Sequence, residues 1–176
     1  KAEKPIKKSI NEIQRIFKDE PKRISQKNIE EKMMTSTPLF YMGFKDYQTG
    51  STGAEALKKD LVTNMILDML FTPSSIFYND IYNEGLIDSS FGGYYTGKMT
   101  YGHSLVVGQS DSPEKVYDRI VELIKKPSDE ILNIENFDRI KKKNIGSFLM
   151  GFDSVEFIAN NFIDLYFDNF LLIDYL

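Results

Sequence analysis

Residues 89–110, SSFGGYYTGKMTYGHSLVVGQS, hold two strand-like runs joined through a turn near Gly97–Thr100. Aromatic and β-branched residues fill both runs, and glycine and polar residues punctuate them. Directly behind comes DSPEKVYDRIVELIKK, which carries the marks of a helix at both ends. Asp111 or Ser112 suits the N-cap, Pro113 the first helical position, and the last turn is basic. Adjacent strands followed by a helix cannot build a purely parallel sheet, and they set the expectation for the rest of the chain.

Upstream the same alternation returns. Ile6, Ile10, Ile13 and Phe17 recur at helical spacing, with Pro5 tolerable in a first turn and Pro21 ending the pattern. Residues 28–35, NIEEKMMT, read as a strand, and 38–46, PLFYMGFKD, as a buried one. A glycine-rich loop then leads to a helix over 54–71, with Ser51 or Thr52 at its N-cap and Leu57, Leu61, Met65 and Met69 on one side. A shorter helix over 74–84 is expected to start at Ser74 or Ser75 and stop at Gly85. Two further helices follow a loop around Pro127, over about 134–151 and from 153 onward. The expected fold class is α+β. A mainly antiparallel sheet carries helices on one face, and a helical pair closes the chain. One domain covers 1–176, with an entry helix or linker over 1–20, sheet and helices over 28–126, and C-terminal helices over 134–176.

Composition excludes several chemistries. The chain has 176 residues, 41% of them hydrophobic, enough for a core without covalent staples. It has no cysteine, so disulfides, thiolate metal sites and a cysteine nucleophile are ruled out. His103 is its one histidine, which rules out a two-histidine metal site within the chain. A net charge of −4 argues against a binder of nucleic-acid backbones. No apolar run reaches the roughly 20 residues of a membrane-spanning helix. A cytoplasmic location is the default expectation. The first residue is not methionine and the last residues sit in an apolar helical pattern, so the chain reads as a piece of a longer protein.

The stretch most like an active site is 74–88, SSIFYNDIYNEGLID. Tyr78, Ile81 and Tyr82 are spaced for one side of a short helix, while Asp80 and Glu84 stand i, i+4 on another. No nucleophile, base pair or metal ligand converges on them, so the reading is a packed helix with an exposed acidic edge. His103, with Leu105 and Val107 alternating after it, is expected on a sheet face, held by a hydrogen bond. Gly92–Gly93 lacks the following Lys-Ser/Thr of a phosphate loop and reads as close backbone approach or a bulge. The basic run Arg139–Lys143 reads as a solvated helix face.

A succession of blocks carries a family resemblance: PLFYMGFKD, LKKDLVTNMILDMLFTPSSIFYNDIYNEGLIDSSF, YGHSLVVGQSDSPEKVYDRIVELI and FDRIKKKNIGSFLMGFDSVEFIANNF. From about residue 30 to 172 the chain resembles the second domain of a pitrilysin/insulinase-family zinc metallopeptidase. It is nearest to the small bacterial zinc proteases built from two homologous α+β domains. In that family the first domain bears the inverted H-x-x-E-H signature, whose histidines hold zinc and whose glutamate activates its water. A chain with one histidine cannot supply it. The resemblance therefore implies no catalytic residue, cofactor or metal ligand here, and zinc in a preceding domain if that domain is catalytic.

Some second domains of the family add an arginine and, a few residues on, a tyrosine that reach the substrate carbonyl and oxyanion. At the matching positions this chain has Ile81 or Tyr82, depending on a one-residue gap, and Asp88. The resemblance thus implies a non-catalytic domain that walls a substrate chamber and packs on a catalytic domain of the same chain. A homologous partner subunit, as in a dimer, and peptide substrate are the other implied contacts. The alternative is a domain of a proteolytically inactive subunit that dimerises with an active one.

Overall fold

The computed structural model describes residue 16, residues 20–167 and residues 170–172. The element order is β1 (Leu39–Lys45), α1 (Gly53–Phe71), α2 (Ile76–Asn83), β2 (Gly92–Gly97), β3 (Gly102–Gln109), α3 (Pro113–Lys125), α4 (Ile134–Gly151) and α5 (Val155–Phe167). The three strands form an antiparallel sheet in the order β1-β3-β2, and the fold is α+β as expected. The helix expected from Ile6 to Phe17 lies, apart from Ile16, outside the described residues.

Alternation along the strands decides which face meets the helices. In β3, Val106 is fully buried, and its row across the sheet is Met42, Val106 and Gly93. Phe40, Met42 and Phe44 of β1 and Tyr95 of β2 pack on the same core. Phe71 from α1, Phe77 and Ile81 from α2, and Val116, Ile120 and Leu123 from α3 complete it. Gly93 has a steric role here. A Cβ on it would stand 3.0 Å from Phe71 Cδ2, so the missing side chain lets that ring lie against the sheet.

Two expectations fail, one at β1 and one in the segment before it. Residues 38–46 read as a buried strand, yet Tyr41 is 67% exposed and Leu39 is exposed beside it. The strand lies at an edge, and only its Phe40, Met42 and Phe44 side faces the helices. Residues 28–35, expected as a strand, form none: all are exposed and unpaired with any strand. The charged run Glu30-Glu31-Lys32 interrupts the apolar alternation there.

The helices begin where the sequence marks them, but seldom by side-chain capping. Thr52, Ser75 and Ser112 occupy N-cap positions, and none donates or accepts a cap hydrogen bond through its side chain. Asn133 before α4 does cap, accepting from Asn136 N–H at 2.9 Å. α3 is instead secured by Val116, Ile120 and Leu123, spaced four and three apart and buried together. Burial of such side chains contributes about 1.5–3 kcal/mol each. α4 lays Phe137 and Ile140 against Met65 and Met69 of α1, with Lys143 paired to Asp68 at 3.2 Å. The basic run is thus an exposed face with one pinned end.

Ile120 is fully buried and Ile124, one turn on, is exposed. Ile120→Ala is expected to lose about 2–5 kcal/mol of stability, and Ile124→Ala less than about 1 kcal/mol, read by urea denaturation.

Candidate functional site

The corner between α2 and β2 holds every position singled out from the family resemblance. α2 ends in a left-handed turn: Gly85 has φ +69°, its N–H bonds Tyr82 O at 2.9 Å, and Leu86 N–H bonds Ile81 O at 2.9 Å. That double bond satisfies the last carbonyls of the helix and demands a residue without Cβ strain at 85. Beyond it Asp88 turns the chain into β2. Its Oδ1 accepts from Ser90 N–H at 2.9 Å and from the Ser90 hydroxyl. These bonds, the hydroxyl's first, hold the Asp88 carboxyl below the ordinary aspartate range.

The side chains here are committed to packing. Ile81 is 0% exposed, inside the core between the sheet and α3. Tyr82 is 47% exposed and stacks on Tyr78, ring centroids 5.8 Å apart and planes 13° apart. Burial, and then the charges of Tyr82 and Asp88, push the Tyr78 phenol up. Glu84 pairs with Arg119 of α3 at 3.0 Å, so the acidic edge of α2 serves as a clasp. His103 sits on the open sheet face, its ring stacked on Tyr101 at 6.2 Å and 13°. It makes no side-chain hydrogen bond to a described residue, so a ring contact stands where a hydrogen bond was expected. Among the described residues, no group of three or more His, Cys, Asp or Glu is placed to hold a metal ion.

A second constellation was not foreseen from sequence. Asp46, just after β1, accepts from Tyr95 Oη at 2.6 Å, from Lys59 Nζ at 2.5 Å and from Gln48 N–H at 2.8 Å. Lys59 also donates to Gln48 O. Asn64, one turn further along α1, accepts from Tyr95 N–H at 2.9 Å and donates to Asp60. The cluster ties the end of β1, the first half of α1 and the middle of β2 together. It borders a groove of about 270 Å³ that also reaches Lys98, Leu165 and Phe170. Partial burial raises the Asp46 pKa, but the bonds from Lys59, Tyr95 and Gln48 outweigh it and hold the carboxyl below its ordinary value. Burial and the facing carboxylate push the Tyr95 phenol well above the usual tyrosine range. A phenol that stays protonated and an aspartate that stays charged make a fixed hydrogen bond, unsuited to passing protons near neutrality. Tyr95 lies 49 residues from Asp46 and 31 from Asn64, which is why periodicity gave no sign of the cluster.

No protein-family model matches the chain. It is 31% identical over 163 residues to YmfH of Bacillus subtilis (strain 168), described as an uncharacterized zinc protease, a match over 93% of this chain and 38% of that one. Its fold matches an M16-like peptidase from Alicyclobacillus acidocaldarius with a TM-score of 0.68 and 28% identity. That match takes in 76% of this chain and 31% of the other. The chain thus spans less than two fifths of either relative's length. The chain is similar to part of a protein named a zinc protease and to part of an M16-like peptidase, and the expected resemblance to a second domain of the pitrilysin/insulinase type is borne out.

Two substitutions separate the alignments left open at the corner. Ile81→Arg puts a charge into the core and is expected to lose more than about 3 kcal/mol, whereas Tyr82→Arg should stay within about 1 kcal/mol of the parent, both read by chemical denaturation. Acid titration tests Asp46. Its folded pKa is depressed, so its stabilisation is complete above the unfolded value and is lost as pH falls through the lower folded one. Below the ordinary aspartate value of 3.8, stability should therefore fall more steeply in the parent than in Asp46→Asn; equal acid slopes would contradict the assignment.

Proposed function

We propose that this chain is the non-catalytic second domain of a zinc-dependent endopeptidase, walling one side of a substrate chamber and packing on a preceding catalytic domain. The observation that carries the reading is the likeness over 93% of the chain to a much longer protein named a zinc protease. The corner supports it. Of the positions that the resemblance sets against an arginine and a tyrosine, Ile81 is sealed in the core, its alternative Tyr82 is half exposed and stacked on Tyr78, and Asp88 is engaged in its turn. None of the three carries the guanidinium or, at 88, the phenol of that pair. In this reading the domain contributes shape and surface, while metal, activated water and proton transfer belong to the preceding domain. The open sheet face, with Tyr41, Tyr94 and His103, is the surface such a wall would present to a peptide.

The chain alone is expected to hydrolyse no unstructured peptide and to give no one-to-one zinc site in isothermal titration. Joined to the preceding region of its parent, it should be isolated with one zinc and cleave peptides. A tight zinc site in the chain alone would overturn the proposal. A zinc-free, inactive full-length parent that cleaves only after a homologous subunit is added would assign the domain to a silent subunit instead.

A further inference from the structure

The two outer edges of the sheet are finished differently. Antiparallel pairing makes alternate residues turn their N–H and C=O toward the neighbouring strand. On β2, Lys98 N–H bonds Tyr101 O, so the even positions face β3 and Gly93, Tyr95 and Gly97 point outward. There Asn64 of α1 covers the edge by accepting the Tyr95 N–H at 2.9 Å. On β1, Asp46 N–H bonds Gly102 O and Ser110 N–H bonds Pro38 O, so the even positions again face β3. Leu39, Tyr41, Gly43 and Lys45 therefore turn their peptide groups outward, and no described strand or side chain meets them. The run Leu39–Phe44 carries no charge and no proline, the usual protections of an exposed edge.

The segment before β1 is placed to meet that edge. Residues 21–38 form neither strand nor helix, and Ile24, Ile29, Met33 and Met34 stand exposed along them. Both ends are fixed at the two ends of β1. Lys45 Nζ, at one end, pairs with Glu20 at 2.5 Å and donates to Pro21 O. At the other, Pro38 leads directly into Leu39. Seven residues of strand run about 23 Å at roughly 3.3 Å each, and sixteen residues from 22 to 37 span that with slack.

We propose that residues 28–34 fold back as a fourth strand on the free edge of β1, so that the segment is a reversible guard of that edge. A four-residue turn over 35–38 is within the usual hairpin range and sets one register: Met34 opposite Leu39, Lys32 opposite Tyr41, Glu30 opposite Gly43, Asn28 opposite Lys45. These four pairs exchange the outward-pointing peptide groups. The same register turns Met33, Glu31 and Ile29 to the helix side, opposite Phe40, Met42 and Phe44, and leaves Met34, Lys32 and Glu30 on the open face with Leu39 and Tyr41. Met33 and Ile29 then extend the margin of the core, and Glu31 between them is an inward-pointing charge of the kind that keeps a new edge from pairing further. The open strap and the closed strand differ only in whether the edge is available.

Hydrogen exchange followed by NMR on the full chain reads the closed form directly. The amides of Tyr41, Gly43 and Lys45 are expected to exchange at least about tenfold slower than free peptide. Lys32→Pro removes the donor opposite Tyr41 from a residue outside the three-stranded sheet, and should abolish that protection while Val106 stays protected. A cysteine pair, Lys32→Cys with Tyr41→Cys in a chain with no other cysteine, should close an intramolecular disulfide. Protection below about twofold in the parent, or protection that survives Lys32→Pro, overturns the proposal. Protection that fades on dilution overturns it too, and assigns the edge to a second copy.

Discussion

One ring joins the layers of this fold. Phe91, at the entry to β2, lies 5.9 Å from Phe71 of α1, 5.9 Å from Tyr78 of α2 and 6.1 Å from Phe40 of β1. The Phe71 contact is edge-to-face at 87°, the arrangement favoured by the ring quadrupoles. The glycines around it follow from that ring. A Cβ on Gly108 would meet Phe91 and Phe40 at 3.2 Å, as one on Gly93 would meet Phe71. Of the two glycines that resemble a phosphate loop, Gly93 is a spacer for Phe71, whereas a Cβ on Gly92 would meet nothing within 4 Å. The α2–β2 corner inherits its rigidity from the same place, since Asp88 and Ser90 form their turn immediately before Phe91.

What could be read from the chain, and what could not, divides by the range of the interaction. α3 was legible almost to the residue, because Pro113, the spacing of Val116, Ile120 and Leu123, and Lys125 all act within a few turns. Gly85 was legible for the same reason, its positive φ being a local demand. β1 was misjudged because its run of apolar residues does not say whether a sheet continues beyond it. Hydrogen bonds were read worst: Ser75 occupies its cap position, yet its buried hydroxyl finds no partner. The Asp46, Lys59 and Tyr95 cluster was invisible, since three elements must meet before it exists.

The same division governs the functional reading. Blocks of sequence pointed to the peptidase family, and comparison with longer relatives bears that out. Geometry adds what each of the aligned positions at the corner could bear. Arginine at 81 would need the core of the domain to be rebuilt, because that side chain lies under the sheet. Position 82 carries no such restriction, being half in solvent. A lineage could gain or lose a charged donor at 82 at little expense to the fold, and not at 81.

The bond from Tyr95 N–H to Asn64 has a consequence for growth of the sheet. With Asn64 of α1 holding the central outward N–H of β2, that margin is partly occupied, whereas no described residue bonds the outward peptide groups of β1. The domain is therefore a biased template: whatever lengthens it, from within the chain or outside, meets less obstruction on the side of Leu39–Lys45. A single amide side chain gives the assembly a direction.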